Sequence, residues 1–135
     1  MNYTEARRIF LDNKKGGLVD RRKVWNNTYA EKDNETDNVT KVFNIRLHHT
    51  DIITFTSQGI ILRTTNLVGG KTWRTVTTKR RMNQVFDRIG VPLRVWQEKF
   101  DWHVYNYKTK QRVDFEEGII VGYGGELSSQ NKVCV

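Results

Sequence analysis

The fold is decided by residues 51–63, which read DIITFTSQGIILR. Two runs rich in β-branched residues, Asp51 to Thr56 and Ile60 to Arg63, flank the tripeptide Ser57-Gln58-Gly59. Side chains of this kind suit a pleated, half-buried surface, and a short loop containing glycine joins antiparallel neighbours. The stretch therefore predicts a β-hairpin.

Strand patterns continue on both sides of this hairpin. Before it, we expect strands over Val24–Ala30 and Val39–Leu47, with a polar turn cluster at residues 33–38 between them. After it come a loop at residues 66–71 and a short strand at residues 73–76. The last strand patterns cover residues 93–98, 102–107, 112–115 and 119–123, with polar turns at residues 99–101 and 108–111.

The clearest helix covers residues 77–90. Its apolar side chains recur at positions i, i+3, i+4 and i+7, which places Met82, Val85, Phe86 and Ile89 on one core-facing stripe. We expect Thr77 or Thr78 to cap its N-terminus and Gly90 to end it.

A second, shorter helix is expected between Thr4, as its N-cap, and Gly16-Gly17. Two helices with seven or eight strands predict a strand-rich α+β fold with a mostly antiparallel sheet. With 135 residues, of which 37% are hydrophobic, the chain can build one core. We expect one compact domain over residues 1–123 and a loosely anchored tail over residues 124–135.

Several protein classes are disfavoured by the composition. No stretch approaches the roughly 20 consecutive apolar residues that span a bilayer, and the N-terminus lacks the apolar run of a secretory signal. We therefore expect a cytoplasmic protein without a membrane partner. The single cysteine, Cys134, excludes an internal disulfide and a cysteine-based metal site. We expect no metal and no cofactor, and strand edges leave a homo-oligomer open.

The net charge of +8 is unevenly distributed along the chain. No Asp or Glu occurs between Asp51 and Asp87, an interval that holds six cations: Arg63, Lys71, Arg74, Lys79, Arg80 and Arg81. A second basic run contains Lys14-Lys15 and Arg21-Arg22-Lys23. Exposed faces normally mix the two signs, so this segregation favours a surface that binds an anionic partner.

Cations in the first turn of the predicted helix oppose its dipole. Lys79, Arg80 and Arg81 lie where acidic residues would stabilise the helix, so a bound anion would compensate them. Trp73, among these cations, would offer a ring on which a base can stack. The candidate anion-binding residues are Arg46, Lys71, Trp73, Arg74, Thr75, Thr77, Thr78, Lys79, Arg80 and Arg81.

The histidines His48 and His49 are the candidate catalytic residues. They follow a predicted strand, and in an extended chain His48 would share a face with Thr50. The His-x-Thr triplet is half of the signature of two-histidine phosphoesterases, but the third histidine, His103, is followed by Val104-Tyr105 and supplies no second half. Structural hydrogen bonds or phosphate contacts are therefore the default interpretation of both histidines.

The strings Asn26-Asn27-Thr28, Arg46 to Ile52 and Trp73 to Lys79 resemble a family of small proteins encoded by bacteriophages. Its members similarly pair an Arg-Leu-His-x-Thr-Asp-Ile strand with a Gly-Gly-Trp-Arg-Thr-Val-Thr-Thr-Lys segment. The likeness covers roughly residues 24–90, although Lys71-Thr72 separate Gly69-Gly70 from the tryptophan here. The resemblance implies a phage context, with a role in host takeover or counter-defence, and it carries over no catalytic residue.

Together these features favour a non-enzymatic protein that binds nucleic acid or a phosphorylated nucleotide. The cations would contact phosphate, the threonines would donate hydrogen bonds and the tryptophan would stack. Two alternatives stay open. One is an inhibitor that docks on a host nucleic-acid-processing complex, and the other is a small metal-independent nuclease or phosphodiesterase that uses His48 or His49.

Overall fold

The computed structural model describes residues 1–12, 15–32, 42–65, 72 and 74–127. These residues form two helices and nine strands in two antiparallel sheets, which confirms the predicted strand-rich α+β fold. The elements are α1 (Tyr3–Leu11), β1 (Arg21–Trp25), β2 (Thr28–Lys32), β3 (Phe43–Leu47), β4 (Thr50–Thr56), β5 (Gly59–Leu62), α2 (Val76–Ile89), β6 (Leu93–Glu98), β7 (Asp101–Asn106), β8 (Arg112–Asp114) and β9 (Ile119–Val121).

The larger sheet has the strand order β1-β2-β3-β4-β5-β9. Strands β1 to β5 follow one another as a meander, and β9 joins β5 only after the chain has formed α2 and the smaller β6-β7-β8 sheet. The predicted hairpin is confirmed as β4–β5, closed at Ser57 and Gln58. The Thr56 hydroxyl accepts hydrogen bonds from the backbone N–H groups of Gln58 and Gly59 and so fixes this turn.

The N-terminal part of the larger sheet differs from the prediction. The pattern predicts a single strand over Val24–Ala30, but a turn at Asn26 and Asn27 divides this segment between β1 and β2. Asn27 has a φ of 53°, a left-handed conformation that asparagine tolerates because its short amide can hydrogen-bond locally. The residues on both sides do form strands as predicted, but the asparagine pair reverses the chain between them.

Both helix starts also differ from the prediction. Thr75, rather than Thr77 or Thr78, caps α2, because its hydroxyl accepts a hydrogen bond from the Thr78 N–H at 3.1 Å. The predicted strand over residues 73–76 is wrong in its described part, since Arg74 and Thr75 lead directly into the helix. Gly90, in the left-handed conformation with a φ of 72°, ends α2 as predicted.

The shorter helix, α1, lies nearer the N-terminus than expected. It is capped by Asn2 instead of Thr4, and it ends at Leu11, well before Gly16-Gly17. No helix in the described ranges is long and apolar enough to cross a membrane.

One hydrophobic core joins the helices and both sheets. The rings of Phe43 and Phe55 stack at 4.5 Å on one face of the larger sheet, and Phe10 of α1 packs over both. The predicted stripe of α2 is buried in the same core, so this helix is fixed between β4 and β6.

The C-terminal strands agree with the sequence patterns. The prediction for residues 93–98 matches β6, and β7, β8 and β9 lie within one or two residues of the expected limits. Leu127, in the segment assigned to the tail, is buried in the core. The predicted turn cluster at 33–38, the loop at 66–71 and the tail from residue 128 onward lie outside the described residues.

Candidate nucleic-acid interface

The three cations in the first turns of α2 point in different directions. Consecutive helical residues are about 100° apart, so Lys79 and Arg81 lie on opposite flanks of the helix. The Lys79 Nζ lies 3.2 Å from the Gln97 Oε1 of β6, whereas Arg81 reaches the β1–β2 turn. Arg80 lies between them, exposed to solvent, and within the described part of the chain it has no hydrogen bond or ion pair. The helix therefore separates cations that are adjacent in sequence.

Arg74 is held inside the protein's own network of interactions. Its Nη2 lies 3.6 Å from Glu117 Oε1, and its guanidinium lies 5.3 Å from the centre of the Phe115 ring. The same carboxylate accepts hydrogen bonds from the backbone N–H groups of Thr64 and Thr65, at 2.8 and 3.1 Å. Glu117 therefore neutralises Arg74 and ties the segment after β5 to the start of α2.

Two of the predicted threonines, Thr75 and Thr78, hydrogen-bond to each other at the N-terminus of α2. The Thr75 hydroxyl caps the Thr78 N–H and lies 3.1 Å from the Thr78 hydroxyl, and Thr78 is only 1% exposed. Thr78 therefore lies away from any surface that a ligand could reach, whereas Thr77 is half-buried. Two further predicted site residues, Lys71 and Trp73, lie outside the described residues.

Arg46 belongs to a different part of the molecule. Its position in β3 alternates with the buried Phe43 and Ile45, so it lies on the opposite face of the larger sheet. Its Nε donates a hydrogen bond to Asp51 Oδ1 at 2.9 Å, and its Nη1 lies 3.9 Å from Glu31 Oε2. The hydrogen bond to Asp51 raises the pKa of Arg46, so this cation is well compensated. The structure does not bring it together with α2.

The histidines form the turn between β3 and β4, which corrects the expectation of an extended chain. His48 has a φ of 55°, and both His48 and His49 are exposed. The His48 N–H donates to the Asn27 carbonyl at 2.9 Å, so the β3–β4 and β1–β2 turns lie side by side. Arg81 reaches the same turns, because its Nη2 donates to the Asn26 carbonyl at 3.2 Å. In the described part of the chain, no group of three His, Cys, Asp or Glu residues is arranged to hold a metal.

Four arginines, of which the sequence analysis named only two as anion-binding candidates, lie along α2 and β1. Arg81 and Arg88 are seven residues apart and therefore lie on the same side of α2. The Arg88 guanidinium lies 5.8 Å from the centre of the Trp25 ring of β1 and 5.1 Å from that of Phe10. We call the cluster the arginine flank and define it as Arg22, Arg80, Arg81 and Arg88.

The charges of the arginine flank repel one another. Burial lowers the pKa of Arg88, and the neighbouring charge of Arg22 lowers it further. Burial likewise lowers the pKa of Arg81, with a second contribution from the charge of Arg80. Arg22 therefore lies near Arg88 and Arg80 lies near Arg81, and each pair brings two positive charges close together, an arrangement that favours a bound anion.

Within the described part of the chain, carboxylates pair with five arginines and with none of the flank. These pairs are Arg21–Glu31, Arg46–Asp51, Arg46–Glu31, Arg74–Glu117, Arg94–Asp87 and Arg112–Glu98. Arg7, Arg8 and Arg63 likewise have no carboxylate within ion-pair distance there. Asp87 is an example of a carboxylate that pairs away from the flank. It precedes Arg88 in the sequence, but its Oδ1 lies 2.7 Å from the Nη2 of Arg94 in β6. The sequence indicated Arg80 and Arg81 directly, whereas the signals available for Arg88 and Arg22 were the seven-residue spacing from Arg81 and the run Arg21-Arg22-Lys23.

A family comparison covers most of the chain. Residues 10–122 match the family described as Kyanoviridae Gp96 protein. No curated protein and no solved structure matches the chain. The matched range contains the whole larger sheet, α2 and the arginine flank, and the predicted phage context is confirmed at this level. The chain belongs to the Kyanoviridae Gp96 family of phage proteins.

Proposed function

We propose that this phage protein binds nucleic acid by placing the phosphate backbone along the arginine flank, in the service of host takeover or counter-defence. The observation that carries the proposal is two pairs of neighbouring arginines, Arg22 with Arg88 and Arg80 with Arg81, none of which has a carboxylate partner among the described residues. Such a cluster destabilises the free protein and is compensated when phosphates bind.

The dimensions of the flank favour a polymer over a single nucleotide. Arg81 and Arg88 are seven residues apart, which corresponds to about 10 Å along a helix. One phosphate cannot bridge this distance, whereas successive phosphates of a strand can contact both ends. Nucleic acid is therefore the better supported of the two ligands that the sequence predicted.

The guanidinium groups are also positioned before a ligand arrives. Arg81 Nε donates to the Thr28 hydroxyl at 2.9 Å, Arg22 Nη1 donates to the Asp12 carbonyl at 2.9 Å, and Arg88 packs against two rings. These contacts restrict the side chains without neutralising their charge. Less conformational entropy is then lost on binding, and the planar guanidinium matches phosphate geometry.

The proposal is tested by measuring binding to labelled single-stranded DNA, duplex DNA and RNA over a salt series. In the double variant Arg80→Gln and Arg88→Gln, we expect weaker binding and a salt slope reduced by about 0.7 to 0.9 for each phosphate that the variant no longer neutralises. The matched control is the double variant Arg94→Gln and Arg112→Gln, which removes the same charge from arginines that have carboxylate partners.

Two outcomes would contradict the proposal. In the first, the wild-type protein binds none of the nucleic acids, and in the second, both double variants weaken binding and lower the salt slope equally. Equal effects would mean that net charge alone, not the flank, attracts the ligand. Product analysis on the same samples tests the nuclease alternative, in which His48 or His49 would cleave the strand.

A further inference from the structure

Two turns of the larger sheet meet beside the arginine flank. The β1–β2 turn consists of Asn26 and Asn27, and the β3–β4 turn consists of His48 and His49. The His48 N–H donates to the Asn27 carbonyl at 2.9 Å, and Arg81 Nη2 donates to the Asn26 carbonyl at 3.2 Å. We call these four turn residues the paired turns. Hydrogen bonds therefore connect the paired turns to each other and to the flank.

Two residues of the paired turns have a left-handed backbone conformation. The φ of Asn27 is 53° and that of His48 is 55°, a region in which glycine has the lowest steric cost. His48 is the first of the two residues that join β3 to β4, a place where glycine, asparagine or aspartate is favoured. Both side chains are exposed and lie outside the core. The fold therefore does not need the imidazole of His48, and its steric cost points to a role in binding.

The chemistry of these two side chains differs from that of the flank. Guanidinium groups only donate hydrogen bonds, which suits the oxygens of phosphate because these accept. An amide and a neutral imidazole each contain both a donor and an acceptor. Base edges also present donors and acceptors, in a pattern that differs from base to base. Asn27 and His48 therefore match bases better than phosphates, and neither side chain has a hydrogen bond or ion pair within the described part of the chain.

We infer that Asn27 and His48 contact the edges of bases in the nucleic acid that lies along the arginine flank, so that binding depends on base sequence. This inference rests on the proposed function. A phosphate held by Arg81 lies next to the β1–β2 turn, which brings the bases of the adjoining nucleotides to the paired turns. Phosphate contacts position a nucleic acid, and base contacts distinguish sequences. Base edges are accessible in single strands and in the major groove of duplex DNA, so either form offers the chemistry.

The test selects bound molecules from pools of randomised oligonucleotides, one single-stranded and one duplex, and sequences them. We expect the wild-type protein to enrich a recurring base sequence by about tenfold in at least one pool. The double variant Asn27→Gly and His48→Gly should lose this enrichment and keep the salt slope of total binding. Because glycine adopts both φ values without steric cost, the variant should melt at or above the wild-type temperature. His48→Asn, which keeps a donor and an acceptor and tolerates the same φ, should still enrich a sequence.

The matched control is Gln58→Gly, which removes an exposed amide from the two-residue β4–β5 turn at the opposite end of β4 and should leave the enrichment unchanged. Wild-type protein that binds no oligonucleotide would overturn the proposed function itself. Wild-type protein whose salt slope depends on the arginine flank but that enriches no sequence would overturn only this inference. Enrichment that survives the double glycine variant, or that Gln58→Gly removes equally, would also overturn it, because the preference would then not depend on the paired turns.

Discussion

Nine of the twelve arginines of this protein fall into two groups that differ in what surrounds them, and Arg7, Arg8 and Arg63 belong to neither group. Arg21, Arg46, Arg74, Arg94 and Arg112 each lie within ion-pair distance of a carboxylate. The arginine flank has only carbonyls, amides, hydroxyls, rings and other arginines as neighbours among the described residues. The first group joins elements of the fold through ion pairs, and the second has no carboxylate within ion-pair distance among the described residues.

The difference shows that a basic sequence and a basic surface are not the same. The interval between Asp51 and Asp87 contains no acid in sequence, yet Arg74 within it is neutralised by Glu117, which comes 43 residues later. Conversely, Arg88 follows an aspartate directly but has no carboxylate partner among the described residues, because that aspartate pairs with Arg94 of β6. Tertiary structure, not local composition, decides which cations can bind an anion.

The largest effect on stability is expected where one carboxylate holds several groups. Glu117→Gln should lower the free energy of unfolding by about 2 kcal/mol, because the variant loses the charge that pairs with Arg74 and weakens the hydrogen bonds from Thr64 and Thr65. Denaturant unfolding measures this change. Affinity for oligonucleotides should stay the same or rise slightly, since Arg74 becomes uncompensated.

The division into two groups would be wrong if Glu117→Gln weakened oligonucleotide binding as strongly as neutralisation of the flank. Arg74 would then contribute to the interface only when it is paired with its carboxylate.

A smaller change in the free energy of unfolding is expected when a single arginine is replaced, and its sign should differ between the two groups. Arg80→Gln should raise the free energy of unfolding by about a few tenths of a kcal/mol at low salt, because it removes a cation near the N-terminus of α2 and next to Arg81, and it breaks no hydrogen bond or ion pair among the described residues. Arg46→Gln should lower it by about 1 kcal/mol, because Asp51 loses its partner. Parallel unfolding curves at low salt and at high salt measure both, and the Arg80 effect should vanish at high salt. If both variants changed the free energy of unfolding in the same direction, the assignment of Arg80 to the unpaired group and Arg46 to the paired group would be contradicted.

Sequence periodicity predicts correctly the helices and strands in which apolar residues recur at regular spacing. The hairpin at residues 51–63 and the apolar stripe of α2 are confirmed because each contains enough alternating or helical spacing to determine one buried face. Three threonines close together at residues 75, 77 and 78 are chemically equivalent as caps, so the sequence could not choose Thr75. The turn at Asn26 and Asn27 was missed because strand-forming residues continue on both sides of it.

The candidate site was less predictable than the fold. Arg80 and Arg81 were predicted, but Arg22 and Arg88 join them only through the packing of β1 and α1 against α2. Which cations have a carboxylate within reach depends on how the elements pack, so the sequence alone does not reveal it.

NMR spectroscopy of the arginine Nε–Hε signals during titration with a single-stranded oligonucleotide distinguishes the two groups residue by residue. We predict that the signals of Arg22, Arg81 and Arg88 shift in proportion to saturation, while those of Arg46, Arg94 and Arg112 remain in place. Shifts confined to the paired arginines, or equal shifts in both groups, would contradict the claim that uncompensated arginines form the nucleic-acid interface.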